Sequence, residues 1–181
     1  MDAFESVVGE ILWQDGYWVQ SSVKVNLTKT EKVSIRRRTA PRWELDIVGY
    51  SGRRNELVVV EYKSYLDSVG VGIGAFDGTN ARAAGRFKLF NDATLRNVVF
   101  NRLRLQLCEA GLVRGDPDLK LALVCGKIVR ERDRVALGDH FKANGWVLWD
   151  DVWLREKLDR MSRGSYENSI AAVVAKLLQR R

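Results

Sequence analysis

Residues 43–65 read WELDIVGYSGRRNELVVVEYKSY, and the organisation of the chain turns on how that stretch is read. Trp43 to Tyr50 and Glu56 to Tyr65 are both rich in β-branched and aromatic residues. Ser51, Gly52, Arg53, Arg54 and Asn55 between them are turn formers, so the two segments predict a β-hairpin. The oddity is charge. Asp46 sits inside the apolar first strand, and Glu61 and Lys63 close the second, where a sheet should be dry. Side chains alternate across a strand, so Glu61 and Lys63 share one face while Val60 and Tyr62 take the other. Asp46 reaches the same point if the register brings it alongside.

Two carboxylates converging there repel each other and are costly to bury unless a cation neutralises them. A small set of hard oxygen ligands, with room left for water and phosphate, suits Mg²⁺ or Mn²⁺. A lysine beside that ion can orient an attacking water or offset charge as a phosphoryl centre is attacked. Such a constellation points to phosphodiester cleavage. Plain alternatives stand beside it: Glu61 and Lys63 as charges that blunt an edge strand, and Asp46 as a structural ion-pair partner of Arg42 or Lys63.

Outward from the hairpin, Phe4, Val7, Val8, Ile11 and Leu12 recur at helical spacing, which predicts a helix over about 3–15 ending at Asp15-Gly16. Tyr17 to Val25 alternates as a strand. Asn26 to Pro41 is polar and strongly basic, with Ser34-Ile35 extending an edge. After the hairpin, Asp67 to Asn80 holds four glycines and reads as a mobile loop at the mouth of the site. Residues 81–111 carry one broad apolar stripe and predict a single helix; Leu119–Cys125 is a strand buried on both faces. A short helix over Arg134–Asn144, a strand at Trp146–Trp149, and helices over about 151–161 and 166–179 complete an α/β chain. It predicts a mixed central sheet flanked by helices, one domain over 1–181 with its core at about 3–150 and a helical extension beyond.

At 181 residues the chain supports one core. No apolar run approaches the ~20 residues needed to cross a bilayer, so no membrane partner is expected. The acidic N-terminal segment lacks the basic start of a secretory signal. Cys108 and Cys125 read as free thiols, which fits a reducing, cytoplasmic setting. Thirty Lys and Arg against twenty-three Asp and Glu leave +7. The excess is clustered in Arg36, Arg37, Arg38 and Arg42, then Arg82, Arg86 and Lys88, positions that suit phosphate contacts and favour a nucleic-acid partner, most simply DNA. Arg36 to Arg38 precede the Asp46 strand directly.

Asp46, fourteen intervening residues, and Glu61-Tyr62-Lys63 closing a V-V-V-E-Y-K strand resemble the D…ExK signature of the PD-(D/E)xK, or restriction-endonuclease-like, nuclease superfamily. Phe4-Glu5 and Gly16-Tyr17 resemble the opening of its Mrr-type and Holliday-junction-resolvase-like branches. Leu45 stands where the superfamily often has proline. The resemblance covers about residues 3–150. It implies an αβββαβ core, metal-dependent endonuclease activity leaving 5′-phosphate and 3′-hydroxyl ends, and a first-helix glutamate in the metal shell. At ~100° per residue Glu5 borders the apolar stripe and faces the sheet, whereas Glu10 falls on the opposite side. The expected site is therefore Glu5, Asp46, Glu61 and Lys63. A first-turn charge against the helix dipole is the bland reading of Glu5. A nuclease fold retained for binding, with weak or no cleavage, is the alternative function. Cutting two strands with one small site would be served by a homodimer, although no interface is legible.

Other motifs carry less. The glycines of Val69–Gly78 lack the lysine and hydroxyl of a phosphate-binding loop. His140 reads as a surface residue. Trp146, Trp149 and Trp153 read as core, and Trp13, Trp18 and Trp43 as packing rather than base-stacking residues.

Overall fold

The computed structural model describes residues 3–39, 42–164 and 169–179. Five strands, β1 (Trp18–Val25), β2 (Trp43–Ser51), β3 (Glu56–Lys63), β4 (Asp118–Cys125) and β5 (Val147–Trp149), form one mixed sheet in the order β1-β2-β3-β4-β5. The first three run antiparallel to one another, and β3, β4 and β5 are parallel. A parallel neighbour requires a long crossover, and residues 64–117 supply it between β3 and β4. Among the described residues eight α-helices flank the sheet: α1 (Ala3–Gln14), α2 (Lys29–Ser34), α3 (Ala81–Ala84), α4 (Lys88–Asn91), α5 (Ala93–Glu109), α6 (Glu131–Ala143), α7 (Asp151–Arg163) and α8 (Ile170–Gln179).

Strand alternation feeds two cores. On one face Val8, Ile11 and Leu12 of α1 pack with Ile47, Val58, Val60, Ala122 and Val124, joined by Leu154 and Met161 of α7 and Ala171 and Ala172 of α8. On the other, Leu95, Val99 and Leu103 of α5 and Leu137 and Phe141 of α6 cover Val23, Leu45, Val48, Leu57, Val59, Leu121 and Leu123. Burying each such aliphatic side chain is worth roughly 1.5–3 kcal/mol. None of the helices is long and apolar enough to cross a membrane among the described residues.

β2 carries an irregularity that matters below. Ser21 pairs with Ile47 and Val23 with Leu45, but Ser22 and Asp46 between them do not pair. Ser22 takes a left-handed φ of 52°. The alternation consequently slips: Leu45 points to the α5 side and Ile47, two residues on, to the α1 side. Breaks of this kind re-aim side chains next to functional sites.

The structure departs from the sequence-based expectations in several places. Residues 29–34 form a helix rather than an edge extension. Thr28 caps it and Glu31 returns the bond, a capping box, and Arg102 of α5 clamps Glu31 with bonds of 2.8–3.1 Å. Residues 81–111 hold three helices, not one: the chain breaks after Gly85 and again at Asp92, whose side chain caps α5 through the Leu95 amide. The helix expected at 134–144 begins earlier, at Glu131. The start expected for the last helix, at 166, lies outside the described residues.

The glycine-bearing segment 67–80, expected as a mobile loop at the mouth of the site, is tied to the body of the protein at several points. Val71 bridges to Ile128, Ile73 N–H donates to Asp133 at 3.1 Å, Lys127 donates to the Ser68 carbonyl at 2.8 Å, and Phe76 is buried among Phe87, Phe90 and Phe141. Gly70 is required there: its φ is 102°, and a Cβ would crowd the Lys127 carbonyl.

The tryptophans divide differently from expectation as well. Trp146, Trp149 and Trp153 pack against the cores, but Trp13 is 56% and Trp18 72% exposed, set edge-to-face at 5.2 Å. The turn at Gly16 places Tyr17, not its tryptophan neighbours, inside. His140 is half-buried against Trp146 rather than fully at the surface. Both cysteines are free; Cys125 is buried and Cys108 only partly so.

Candidate active site

β2 and β3 pair from Ser51 and Glu56 as far as Ile47 and Val60, and there the ladder stops. Asp46 and Glu61 are the next residues on each strand. The two strands part between them: β2 continues alongside β1, and β3 continues alongside β4, where Glu61, Tyr62 and Lys63 pair with Leu123, Val124 and Cys125. A fork in the sheet therefore carries one carboxylate on each branch.

Tyr62 holds the fork together. Its N–H donates to Asp46 Oδ2 at 3.3 Å, and its hydroxyl donates to Glu5 Oε2 at 3.4 Å. The ring packs against Phe4, centroids 6.0 Å apart. Strand alternation explains the division, because Tyr62 faces α1 while Glu61 and Lys63 face the α4–α5 side. Lys63 Nζ stands 4.0 Å from Asp46 Oδ2 and 5.9 Å from the Phe87 ring centroid. Gly126 N–H donates to the Lys63 carbonyl at 3.1 Å and fixes the end of β3. A Cβ on Gly126 would collide with the Ser64 carbonyl, so the close approach needs glycine.

The electrostatics are those of an acid-rich spot, closed at Glu61 Oε2 and partly open at Asp46, whose side chain is 37% exposed. Burial pushes the Glu61 carboxyl up to about 7; Asp46 pushes the same way, and Lys63 and then Lys88 oppose it. Glu61 Oε2 is sealed from solvent and has no hydrogen-bond partner among the described residues. Asp46 is also raised, mainly by burial, with Glu5 and Glu44 adding and Lys63 and the Tyr62 N–H opposing. Glu5 is only 4% exposed.

All four expected residues thus meet at or beside the fork: Asp46, Glu61 and Lys63 directly, and Glu5 through Tyr62 and through its influence on Asp46. Glu10 is elsewhere, accepting from Ser169 Oγ at 2.6 Å. Of the expected basic residues, Arg86 donates to the Tyr65 hydroxyl at 3.4 Å, two residues beyond Lys63. Arg37 lies over Trp43 at 5.0 Å, three residues before Asp46, with Arg36 and Arg38 exposed on either side. Arg82 is exposed on α3. Arg42 lines a separate cleft along β1 with Lys24 and Gln106. Tyr62 was given no role from sequence, and Lys88 was read only as part of a basic cluster, not as a charge acting on Glu61. For Tyr62 the signal was available, since the middle residue of Glu-Tyr-Lys must face α1.

Among the described residues no group of three or more His, Cys, Asp or Glu side chains is arranged to ring a metal ion. The donor chemistry at the fork nevertheless suits a hard divalent cation: two adjacent carboxylates, one with an unsatisfied buried oxygen. Mg²⁺ commonly takes only one or two protein carboxylates and completes its shell with water and phosphate oxygens. No family model, no curated protein and no solved structure matches the chain.

Proposed function

We propose that the protein is a metal-dependent endonuclease with a restriction-endonuclease-like core, hydrolysing phosphodiester bonds of DNA. The observation that carries this reading is the fork itself. Asp46 and Glu61 leave the ladder together, Lys63 stands beside Asp46, and a buried Glu61 oxygen lacks a donor. Unsatisfied buried carboxylate oxygens are costly and rare in structural roles. The element order from α1 to β4, with α5 between β3 and β4, accords with the αβββαβ plan that the sequence resemblance implies.

In this reading Asp46 and Glu61 would hold Mg²⁺ or Mn²⁺, and the ion supplies Lewis acidity toward the phosphate and a more acidic water. Lys63 offsets negative charge growing on the phosphate oxygens and positions the water. Tyr62 keeps Asp46 aimed into the fork. Glu5, behind it, adds negative charge that strengthens the hold of Asp46 on a cation. Arg86 and Lys88, with Arg36 to Arg38 ahead of β2, receive the neighbouring phosphates. The net charge of +7 favours such a partner. The free thiols accord with a reducing compartment.

The test is turnover of labelled duplex, flap, four-way-junction and single-stranded DNA with Mg²⁺ or Mn²⁺, with and without chelator. Asp46→Asn and Lys63→Ala should each lower the rate by about 100-fold or more with folding retained. Full activity in both variants refutes the assignment. The 4.0 Å approach of Lys63 to Asp46 also fits a second reading, in which the fork is a closed ion pair and the fold binds nucleic acid without cutting it. Salt-sensitive DNA binding, indifferent to chelator and to Lys63→Ala, would favour that reading.

A further inference from the structure

Two residues beyond Lys63, Tyr65 walls a cleft of about 220 Å³ that the proposed reaction does not use. Val71, Phe87 and Val129 form further apolar walls, Ala83 lines it from α3, and Gly70, Gly72 and Gly74 present main chain to it. The walls are pinned. The Asn91 side-chain amide donates to the carbonyls of Ala75, Phe87 and Ala84 at 2.9, 3.0 and 3.2 Å, which ties the glycine-bearing segment, the start of α4 and the end of α3 together. Asn80 caps α3 by accepting from the Ala83 N–H at 3.0 Å. Tyr65 itself has a φ of 44°. A bulky residue in the left-handed region is strained, and such strain gathers where a side chain must be aimed.

Cleft and fork share a border. Phe87 walls the cleft, and Lys63 Nζ lies 5.9 Å from its ring centroid. Along the main chain Lys63 and Tyr65 are at most ~7 Å apart. A phosphate at the fork therefore has its adjoining nucleoside within reach of the cleft. Size and chemistry select the occupant. The volume lies below the ~300–1,000 Å³ of pockets for larger ligands and suits one flat ring. Aromatic and valine walls would strip water from an anion without replacing it, but they stack with a nucleobase, every one of which has a π-face. Arg86 is exposed on the lining, donates to the Tyr65 hydroxyl at 3.4 Å and can meet the phosphate of the same nucleotide. The Asn80 side chain offers polar atoms to an edge of the base.

We infer that this cleft is a nucleobase subsite. It takes one DNA base that is unpaired or turned out of the duplex, stacks it against Tyr65, and so directs cleavage to the phosphate beside that nucleotide. The choice of phosphate rests on the nuclease reading, whereas capture of the base is measured without turnover.

The test is the affinity of the full chain, in chelator, for a fully paired duplex, a duplex with one bulged nucleotide, and the same bulge lacking its base. The base-bearing bulge should bind about 10- to 100-fold more tightly than the abasic bulge, the range expected for one stacked base. Tyr65→Ala, which removes the ring, and Ala83→Leu, which fills the cleft, should bind the two bulges alike while keeping the wild-type affinity for the paired duplex. Tyr65→Phe should retain the preference. Equal binding of the two bulges by the wild type overturns the inference. So does a preference that survives in Tyr65→Ala or Ala83→Leu or is lost in Tyr65→Phe, and so does a chain that binds none of the duplexes. Tyr65-dependent binding of thymidine or deoxyadenosine monophosphate, with no preference between the bulges, would assign the cleft to free nucleotides and equally overturns it. A base preference that stands while Asp46→Asn and Lys63→Ala cleave at full rate removes the nuclease assignment and leaves the subsite. No preference, with cleavage lost in those two variants, removes the subsite alone.

Discussion

Replacing Glu61 with glutamine should make the metal-free protein more stable, and only above a defined pH. The Glu61 carboxyl is raised from an ordinary 4.5 to about 7 by burial. A carboxyl with a raised folded-state value stabilises in its protonated form. That contribution is whole below about 4.5 and is lost as the pH climbs through about 7. At roughly 1.4 kcal/mol per unit, the ionised side chain costs the folded state about 3 kcal/mol at pH 8. Glutamine removes the charge but leaves an amide with an imperfect set of partners, a loss of about 1 kcal/mol. The expected net effect at pH 4.5, where the carboxyl is still largely protonated, is therefore a loss of about 1 kcal/mol, and at pH 8 a gain of about 2 kcal/mol. For a chain of this size that gain corresponds to a melting shift of about 4–8 °C. Urea denaturation in chelator at the two pH values measures it directly. An equal effect at both values, or a loss at pH 8, would refute the claim that a strained carboxylate sits in the fork.

Three further outcomes follow from the same geometry. Glu5→Gln should depress cleavage at limiting Mg²⁺ by about tenfold, whereas Glu10→Gln should leave it unchanged; a cation titration of the two variants separates them. Gly126→Ala should displace Ser64 and the end of β3, lowering both the melting temperature and the turnover number. Glu31→Ala should cost about 1–2 kcal/mol through loss of the α2 cap and of the Arg102 clamp. The loss is readable by denaturation at neutral pH. Burial alone would raise the Glu31 carboxyl, but its bonds to Arg102 and Thr28 hold it below the ordinary value. Its contribution is thus present above about 4.5 and should fade as the solution is acidified.

The sheet was legible because its strands are written in β-branched runs whose alternation survives nearly everywhere. Leu57 to Val60 could be little else, and Ser51 to Asn55 could only turn. The convergence of Asp46 with Glu61 and Lys63 was legible for the same reason, since it follows from hairpin register. Tertiary decisions were harder to see. The apolar stripe over 81–111 is continuous in sequence, and only the bond from Asp92 to the Leu95 amide reveals that α5 starts afresh. The signature Thr28–Glu31 was present but lay in a basic tract whose charge drew attention from its cap. The glycines of 67–80 suggested freedom, yet Phe76 anchors that segment in an aromatic cluster of distant origin. Exposure of Trp13 and Trp18 has no sequence signature, because it depends on which way the chain leaves Gly16.

Because Asp46 has no ladder partner on β1 or on β3, its backbone adds no pair to the sheet, and its side chain instead accepts from the Tyr62 N–H across the fork. The residue on which the proposed chemistry would hinge thus ties the two branches of the fork through one main-chain donor. An amide at this position still offers an oxygen to that donor, so Asp46→Asn changes the charge with little penalty in folding. Lineages of such a protein could lose or regain the reaction there while the scaffold stayed intact.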